Sequence, residues 1–330
     1  MQDLTTQSTK NAPGRSCPLH YRYNLANFLV EPEPILDNLD VIYIVGGLYG
    51  NKLALDEVLR LFEAETGTKR LVFNGDFHWF DIDPQTFSEV HDSVLKHVAI
   101  RGNVETELTE NDASAGCGCA YPDWVNESVV TRSNRIMTQL HKCATPFIQE
   151  QIRALPMWRL ARVGKHRIGI VHGDAQSLAG WGFAQEHLQD PAHRAEVSRW
   201  FEEAKVSIFA SSHTCLPVFQ EVEFKGNGRS GWVLNNGAAG MPNFKGDFAG
   251  LLTRISLNPL IATHRVAHSR ASVKFEELFI DAVGIETNQD QTLQQFLSNW
   301  PQNSDAHESY FNRIVSGPDY STSQVIRRQA

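Results

Sequence analysis

The chain has 330 residues, of which 42% are hydrophobic and 21% charged, and its net charge at pH 7 is -8. This balance is typical of a globular protein, and the negative charge argues against a general nucleic-acid surface, which is normally basic. No apolar run approaches the roughly 20 residues that a membrane helix needs, and residues 1–15 lack the apolar segment of a secretory signal. We therefore expect a cytoplasmic protein without a membrane partner, built as one large α/β domain or two modest ones.

Five cysteines stand at positions 17, 117, 119, 143 and 215. An odd count in a large chain without a secretory signal favours free thiols in a reducing compartment. Cys117-Gly-Cys119 is a C-x-C pair that could bind metal or form a redox pair, but one such pair without a second is a weak metal signal. We expect inert thiols.

The first regular element follows an irregular N-terminal arm, residues 1–38, which four prolines interrupt after residue 12. Residues 41–45 form an apolar run, V-I-Y-I-V, and a glycine-rich turn follows at 46–51. Apolar residues then recur at helical spacing from Leu53 to Phe62. A strand, a glycine-rich turn and a helix in this order are typical of a site at the carboxyl end of a sheet strand.

In four more segments, an apolar predicted strand is followed directly by a cluster of polar residues. They are L-V-F-N-G-D at 71–76, V-A-I-R-G-N at 98–103, I-G-I-V-H-G-D at 168–174 and S-I-F-A-S-S-H-T-C at 207–215. Helical patterns lie between several of them, so the sequence predicts an α/β domain over about 39–260. The polar clusters are expected at one edge of its sheets.

Two regions depart from this rhythm. Residues 104–157 read as a loop followed by helix broken near Pro146, and they form either a cap over the strand ends or a helix that pads one sheet face. Residues 261–330 contain one predicted strand, 273–280, and two helical patterns. We expect a C-terminal extension that packs on the same domain.

The ordered series G-D, G-N, a lone His and S-H-x-C resembles the calcineurin-like metallophosphoesterase superfamily, from about residue 41 to about 240. The motifs of that superfamily are D-x-H, G-D-x-x-D, G-N-H-D/E, a lone His and G-H-x-H, each at a strand end. The resemblance implies a β-sandwich flanked by helices. It also implies Asp76 as a bridging carboxylate, with Asn103, His172 and His213 as the remaining ligands of one metal ion. This mixed N/O set suits Mn, Fe, Zn or Ni.

The second metal position of the superfamily is altered. Gly47-Leu48-Tyr49 replaces D-x-H, and Cys215 replaces the last histidine. Tyr49 as phenolate, Cys215 as thiolate and His78 as an imidazole are possible replacement ligands. For His78, stacking or hydrogen bonding is the alternative. The sequence therefore leaves open whether one or two ions bind per chain.

The histidine that the superfamily places after G-N is also replaced, by Val104. Glu105 could act as the acid or orient Arg101, and the alternative for Glu105 is a surface salt bridge. His78 is a second candidate acid. Arg101 is a candidate phosphate-binding residue because guanidinium pairs bidentately with phosphate oxygens.

Two functions follow from these features. The first is metal-dependent hydrolysis of a phosphomonoester or phosphodiester of a small molecule, by a divergent phosphatase-like site. The alternative is an inactive descendant that binds a phosphorylated ligand or a protein partner. A redox or sensing role for Cys215 and Tyr49 rests on ligand type alone.

Overall fold

The structure is a computed structural model, and it describes residues 12–30, 32, 35–110, 115–224, 228–260 and 268–328. Residues 1–11 of the predicted N-terminal arm lie outside the described residues. Within the arm, the short 3₁₀ helix Leu25–Leu29 buries Leu25 and Phe28 against the domain.

The regular elements follow the predicted alternation of strands and helices. The strands are β1 Leu36–Leu39, β2 Val41–Val45, β3 Lys69–Asn74, β4 Val98–Ile100, β5 Trp158–Val163, β6 His166–Val171, β7 Ile208–Ser211, β8 Val218–Glu223, β9 Ser230–Asn235, β10 Gly250–Ser256, β11 Ser269–Phe275, β12 Leu278–Ile285 and β13 Ile326–Arg327. The helices are α1 Lys52–Glu63, α2 Pro84–Val94, α3 Asn103–Leu108, α4 Glu127–Leu140, α5 Pro146–Arg153, α6 Pro191–Ala204, α7 Gln289–Asn299 and α8 Asp305–Ser316.

The strands form two sheets. One has the order β1-β5-β6-β7-β9-β8-β13 and the other the order β11-β12-β10-β2-β3-β4. Strands β2, β3 and β4 are parallel to one another, and so are β6, β7 and β9. The carboxyl ends of each parallel group lie at one edge, where the polar clusters of the sequence are brought together.

The two sheets pack face to face, and helices cover their outer faces. Ile42 and Ile44 of β2 meet Ile168 and Ile170 of β6 in the layer between the sheets. The alternate residues of β2 pack on α1 and α2, and the outer face of the other sheet packs on α6. Because β2 is buried on both faces, its sequence is a continuous apolar run. The predicted fold class is confirmed.

The C-terminal part of the chain contributes two strands to the second sheet, where one strand was predicted. The single predicted strand 273–280 is two antiparallel strands, β11 and β12, which extend the second sheet beyond residue 260. The turn between them contains Glu276 with a left-handed φ of +51°. No Gly, Asn or Pro marks this turn, which is why the sequence did not reveal it. Among the described residues, no helix combines the length and apolar character that crossing a membrane requires.

Candidate metal centre

The four residues that the resemblance singled out stand at strand ends on both sheets. Asp76 lies just beyond β3, Asn103 is the first residue of α3 after β4, and His172 and His213 follow β6 and β7. All four are buried, with exposed fractions between 1% and 7%. The sandwich thus brings two segments from each sheet to one buried point.

The side-chain atoms of these residues converge on Nε2 of His172. This nitrogen lies 3.3 Å from Asp76 Oδ1, 3.1 Å from Asn103 Oδ1 and 3.1 Å from His213 Nδ1. Ligand bonds of about 2.0–2.2 Å at right angles separate neighbouring ligand atoms by about 3 Å. The spacing therefore fits a shared metal ion.

The hydrogen bonds on the far side of these groups leave lone pairs facing inward. His172 Nδ1 donates to the Asn74 carbonyl at 2.9 Å, and His213 Nε2 donates to the Cys119 carbonyl at 3.1 Å. Asn103 Nδ2 donates to the Cys117 carbonyl at 2.8 Å. Acceptors that face one another without a donor between them need a cation or a proton. These residues fit a divalent metal ion.

The pKa values of Asp76, His172 and His213 are shifted by burial and by the charges of one another. Burial alone would raise the pKa of Asp76, but the facing imidazole of His172 lowers it overall. Burial acts to lower the pKa of His172, and the Asp76 carboxylate raises it overall. Burial, and then the charge of His172, lower the pKa of His213 to about 3. Without a cation, these shifts favour a proton on His172 opposite the Asp76 carboxylate, and a neutral His213.

The Glu105 carboxylate lies beside the backbone around Asp76 and accepts hydrogen bonds from it. Its Oε2 accepts from the N–H groups of Asp76 at 2.7 Å and Gly102 at 2.9 Å. Its Oε1 accepts from the N–H groups of Phe77 at 3.0 Å and His78 at 3.3 Å. Burial, followed by the nearby Asp76 charge, raises the pKa of Glu105 to about 7. The carboxylate is neither in a surface salt bridge nor paired with Arg101. It holds Asp76, whose φ is +53°, in a left-handed conformation.

The altered second position is filled by protein atoms. The Tyr49 hydroxyl lies 2.8 Å from Cys215 Sγ, and both residues have a left-handed φ. A Cβ on Gly47 would lie only 3.0 Å from Cζ and Oη of Tyr49. The Tyr49 ring therefore occupies the space that an aspartate side chain at position 47 would need. Burial, and then Cys215, raise the pKa of Tyr49 well above its usual range, and burial raises the pKa of Cys215. Both groups stay protonated at neutral pH, unlike phenolate and thiolate ligands.

His78 and Arg101 do not join the four candidate ligands. The His78 ring is stacked on Phe87, with 3.7 Å between ring centroids, and its Nδ1 lies 2.6 Å from Asp81 Oδ2. This is the alternative that the sequence left open for His78. Burial lowers the pKa of Arg101, whose guanidinium interacts with Tyr21 and Glu110. Among the described residues, the group of possible ligands at this point comprises Asp76, His172 and His213, with the Asn103 amide beside them.

The segment 115–121 of the insertion lies directly over the centre, and its part in the site was not predicted. Its Cys117 carbonyl accepts from Asn103, and its Cys119 carbonyl accepts from His213. The Cys119 carbonyl also accepts a second hydrogen bond, from Trp181 Nε1 at 3.0 Å. The Trp181 ring meets His213 edge to face. The C-x-C motif is visible in the sequence, but no neighbouring residue indicates that it contacts the metal centre. The expectation of inert thiols at this pair is wrong, because Cys117 and Cys119 form a disulfide, whereas Cys17, Cys143 and Cys215 are free.

Helices of the insertion and of the C-terminal extension complete the cover. Residues of α4, α7 and α8 pack in one apolar cluster with Tyr49, Cys117 and Cys119. Arg313 of α8 donates to the carbonyls of Cys215 at 2.7 Å and Pro242 at 3.1 Å. The insertion therefore lies over the strand ends, and α8 closes the same side.

No model of a protein family matches the sequence, and no curated protein matches it either. Solved structures do match. A metallophosphoesterase from Sphaerobacter thermophilus aligns over 84% of this chain and 100% of its own, with 14% identity and a TM-score of 0.53. A hypothetical protein from Pyrococcus horikoshii OT3 aligns over 85% of this chain and 99% of its own, with 14% identity and a TM-score of 0.57. At this identity the likeness concerns the fold. The chain therefore has the metallophosphoesterase fold that its motifs resemble.

Proposed function

We propose that this protein hydrolyses a phosphomonoester or phosphodiester of a small molecule with one divalent metal ion. Asp76, Asn103, His172 and His213 hold the ion. The observation that carries the proposal is the convergence of their acceptor atoms on one buried point, with every side-chain donor turned outward. A bound ion supplies a Lewis acid for the phosphate and lowers the pKa of a water molecule.

The residues around this point bind and orient the ligands. The Asn74, Cys117 and Cys119 carbonyls fix which nitrogen or oxygen of each ligand faces inward. Such outer hydrogen bonds govern metal affinity as well as ligand orientation. Glu105 holds the backbone that presents Asp76. The site is thus preorganised for an ion before substrate arrives.

The contact between Tyr49 and Cys215 supports one ion rather than two. The two groups hydrogen bond to each other at the position where the superfamily carries the other metal ligands, and both keep their protons. They offer neutral hydroxyl and thiol groups on that side of Asp76. This environment favours a mononuclear centre.

Substrate access requires movement of the cover. His172 and Asn103 are 1% exposed, and the Cys119 carbonyl lies against His213. A phosphate group reaches the centre only when part of the cover moves. We therefore expect faster amide hydrogen exchange in 115–121 than in β6, which is central in its sheet.

The test combines metal content and hydrolysis. Protein purified without chelator or histidine tag is analysed by plasma mass spectrometry, and then assayed with p-nitrophenyl phosphate and bis(p-nitrophenyl) phosphate. We expect about one equivalent of metal and metal-dependent hydrolysis. His172→Ala should remove both. His20→Ala, which changes an exposed histidine outside the centre, should change neither.

Each other outcome has a defined meaning. Metal binding without hydrolysis of either ester, together with a raised melting temperature in inorganic phosphate, would favour the alternative of a binding protein. Hydrolysis that survives His172→Ala would place catalysis elsewhere. Failure to bind Mn or Zn would refute the proposed centre.

A further inference from the structure

The Cys117–Cys119 pair is part of the hydrogen-bonding shell of the metal centre. The carbonyl of Cys117 accepts from Asn103 Nδ2 at 2.8 Å, and the carbonyl of Cys119 accepts from His213 Nε2 at 3.1 Å. Two of the four proposed ligands are therefore oriented by the residues that the disulfide joins. The neighbouring strand ends do not provide these acceptors.

The disulfide restricts both carbonyl groups. The carbonyl carbon of Cys117 is a member of the small ring that the disulfide closes, and the carbonyl of Cys119 is attached directly to that ring. Gly118 has a φ of +65°, and a Cβ there would lie 2.2 Å from the Tyr21 hydroxyl oxygen. The Cys117 N–H donates to Asn134 Oδ1 at 3.0 Å. The ring therefore has little freedom while the sulfurs are joined.

We propose that Cys117 and Cys119 are a redox-active pair that controls metal binding at the adjacent centre. This inference rests on the metal centre of the proposed function. A low-molecular-weight dithiol reduces the disulfide by exchange. Its two S–H groups are converted to one S–S bond, and the two cysteines gain two electrons and two protons as thiols. Oxidation by a disulfide compound reverses the step.

Reduction should weaken the metal centre because it frees the backbone torsions of the loop. The carbonyls of Cys117 and Cys119 can then turn away from Asn103 and His213. Loss of outer partners of this kind typically lowers metal affinity about 10–100-fold. Cys119 is 7% exposed while Cys117 is fully buried, so we expect an attacking thiolate to approach the pair from the Cys119 side.

The experiment compares metal affinity in the two redox states of the whole protein. Metal-free protein is prepared oxidised, and one half is reduced with dithiothreitol, which is then removed without air. Alkylation and peptide mass spectrometry identify the cysteines that changed. The dissociation constant for Co²⁺ is measured by calorimetry and by the absorption of the bound ion. The same measurements are made on Cys117→Ser/Cys119→Ser and on the control Cys17→Ser/Cys143→Ser.

We expect Co²⁺ to bind about 10-fold or more weakly to the reduced protein, with recovery on reoxidation. The variant without the pair should bind like the reduced protein in both states, and the control should respond like the wild type. Equal affinity in the two states would overturn the inference and leave the metal centre intact. Tighter binding after reduction, with thiolate-to-cobalt absorption, would also overturn it, because the cysteines would then be ligands. No Co²⁺ binding in either state would refute the centre itself.

Discussion

Gly47→Ala tests whether the Tyr49 ring has replaced the missing aspartate side chain. The added Cβ would lie 3.0 Å from Cζ and Oη of Tyr49 and 3.1 Å from Cε2. Tyr49 is 5% exposed and packs in an apolar cluster, so its ring has little room to withdraw. Position 47 also has a left-handed φ of +65°. The substitution therefore carries a steric and a conformational cost.

The conformational cost can be measured separately at Gly246. Its φ is +73°, and a Cβ there meets nothing within 4 Å. Alanine in a left-handed conformation costs about 1–2 kcal/mol, and overpacking a buried site costs about 1–3 kcal/mol more. We expect Gly246→Ala to lower the free energy of unfolding by the first amount alone. Gly47→Ala should lower it by the sum of both.

Guanidinium denaturation measures these costs in five proteins: the wild type, Gly246→Ala, Gly47→Ala, Tyr49→Ala and the Gly47→Ala/Tyr49→Ala double variant. In a Tyr49→Ala background the ring is absent, so Gly47→Ala should cost only as much as Gly246→Ala. The interaction energy between positions 47 and 49 should then exceed the roughly 0.5 kcal/mol that independent sites show. Equal costs for Gly47→Ala and Gly246→Ala in the wild-type background would mean that the ring does not occupy this space. The explanation of the altered second position would then be wrong.

Three further outcomes are expected. The triple variant Gly47→Asp/Tyr49→His/Cys215→His replaces the Tyr49 phenol ring and restores the superfamily's ligands of the second position, so metal content should rise from about one to about two equivalents per chain. An unchanged metal content by plasma mass spectrometry would contradict this. Metal binding should release about one proton at pH 6 and progressively fewer as the pH rises, because the facing Asp76 carboxylate raises the pKa of His172 above its usual value near 6.5 and the proton is lost as the pH rises through that raised value; pH-indicator titrations that give the same release at every pH would exclude it. Glu105→Gln turns an amide NH₂ toward backbone N–H donors, so the free energy of unfolding should fall by about 1–3 kcal/mol or more; wild-type stability in urea would show that the carboxylate does not hold the backbone around Asp76.

Local patterns in the sequence were sufficient for the fold class and for the residues that meet at the centre. The apolar run of β2 and the polar cluster after each parallel strand indicate an α/β sheet protein, because parallel strands place their carboxyl ends at one edge. The order of motifs then singled out Asp76, Asn103, His172 and His213, whose acceptor atoms do converge. Their role as ligands remains a prediction until metal is measured.

Contacts between distant parts of the chain decided the rest. Tyr49 and Cys215 are 166 residues apart, and only packing shows that the two altered motif positions bond to each other. The sequence offered Glu105 as an acid or as a partner of Arg101, whereas α3 turns its carboxylate toward the backbone N–H groups around Asp76. The Cys119 carbonyl reaches His213 from 94 residues away, because the insertion folds back over the strand ends. Periodicity and motif spacing record which face a residue takes within its own element, whereas the partner that a side chain meets depends on how the sheets, insertion and C-terminal helices pack.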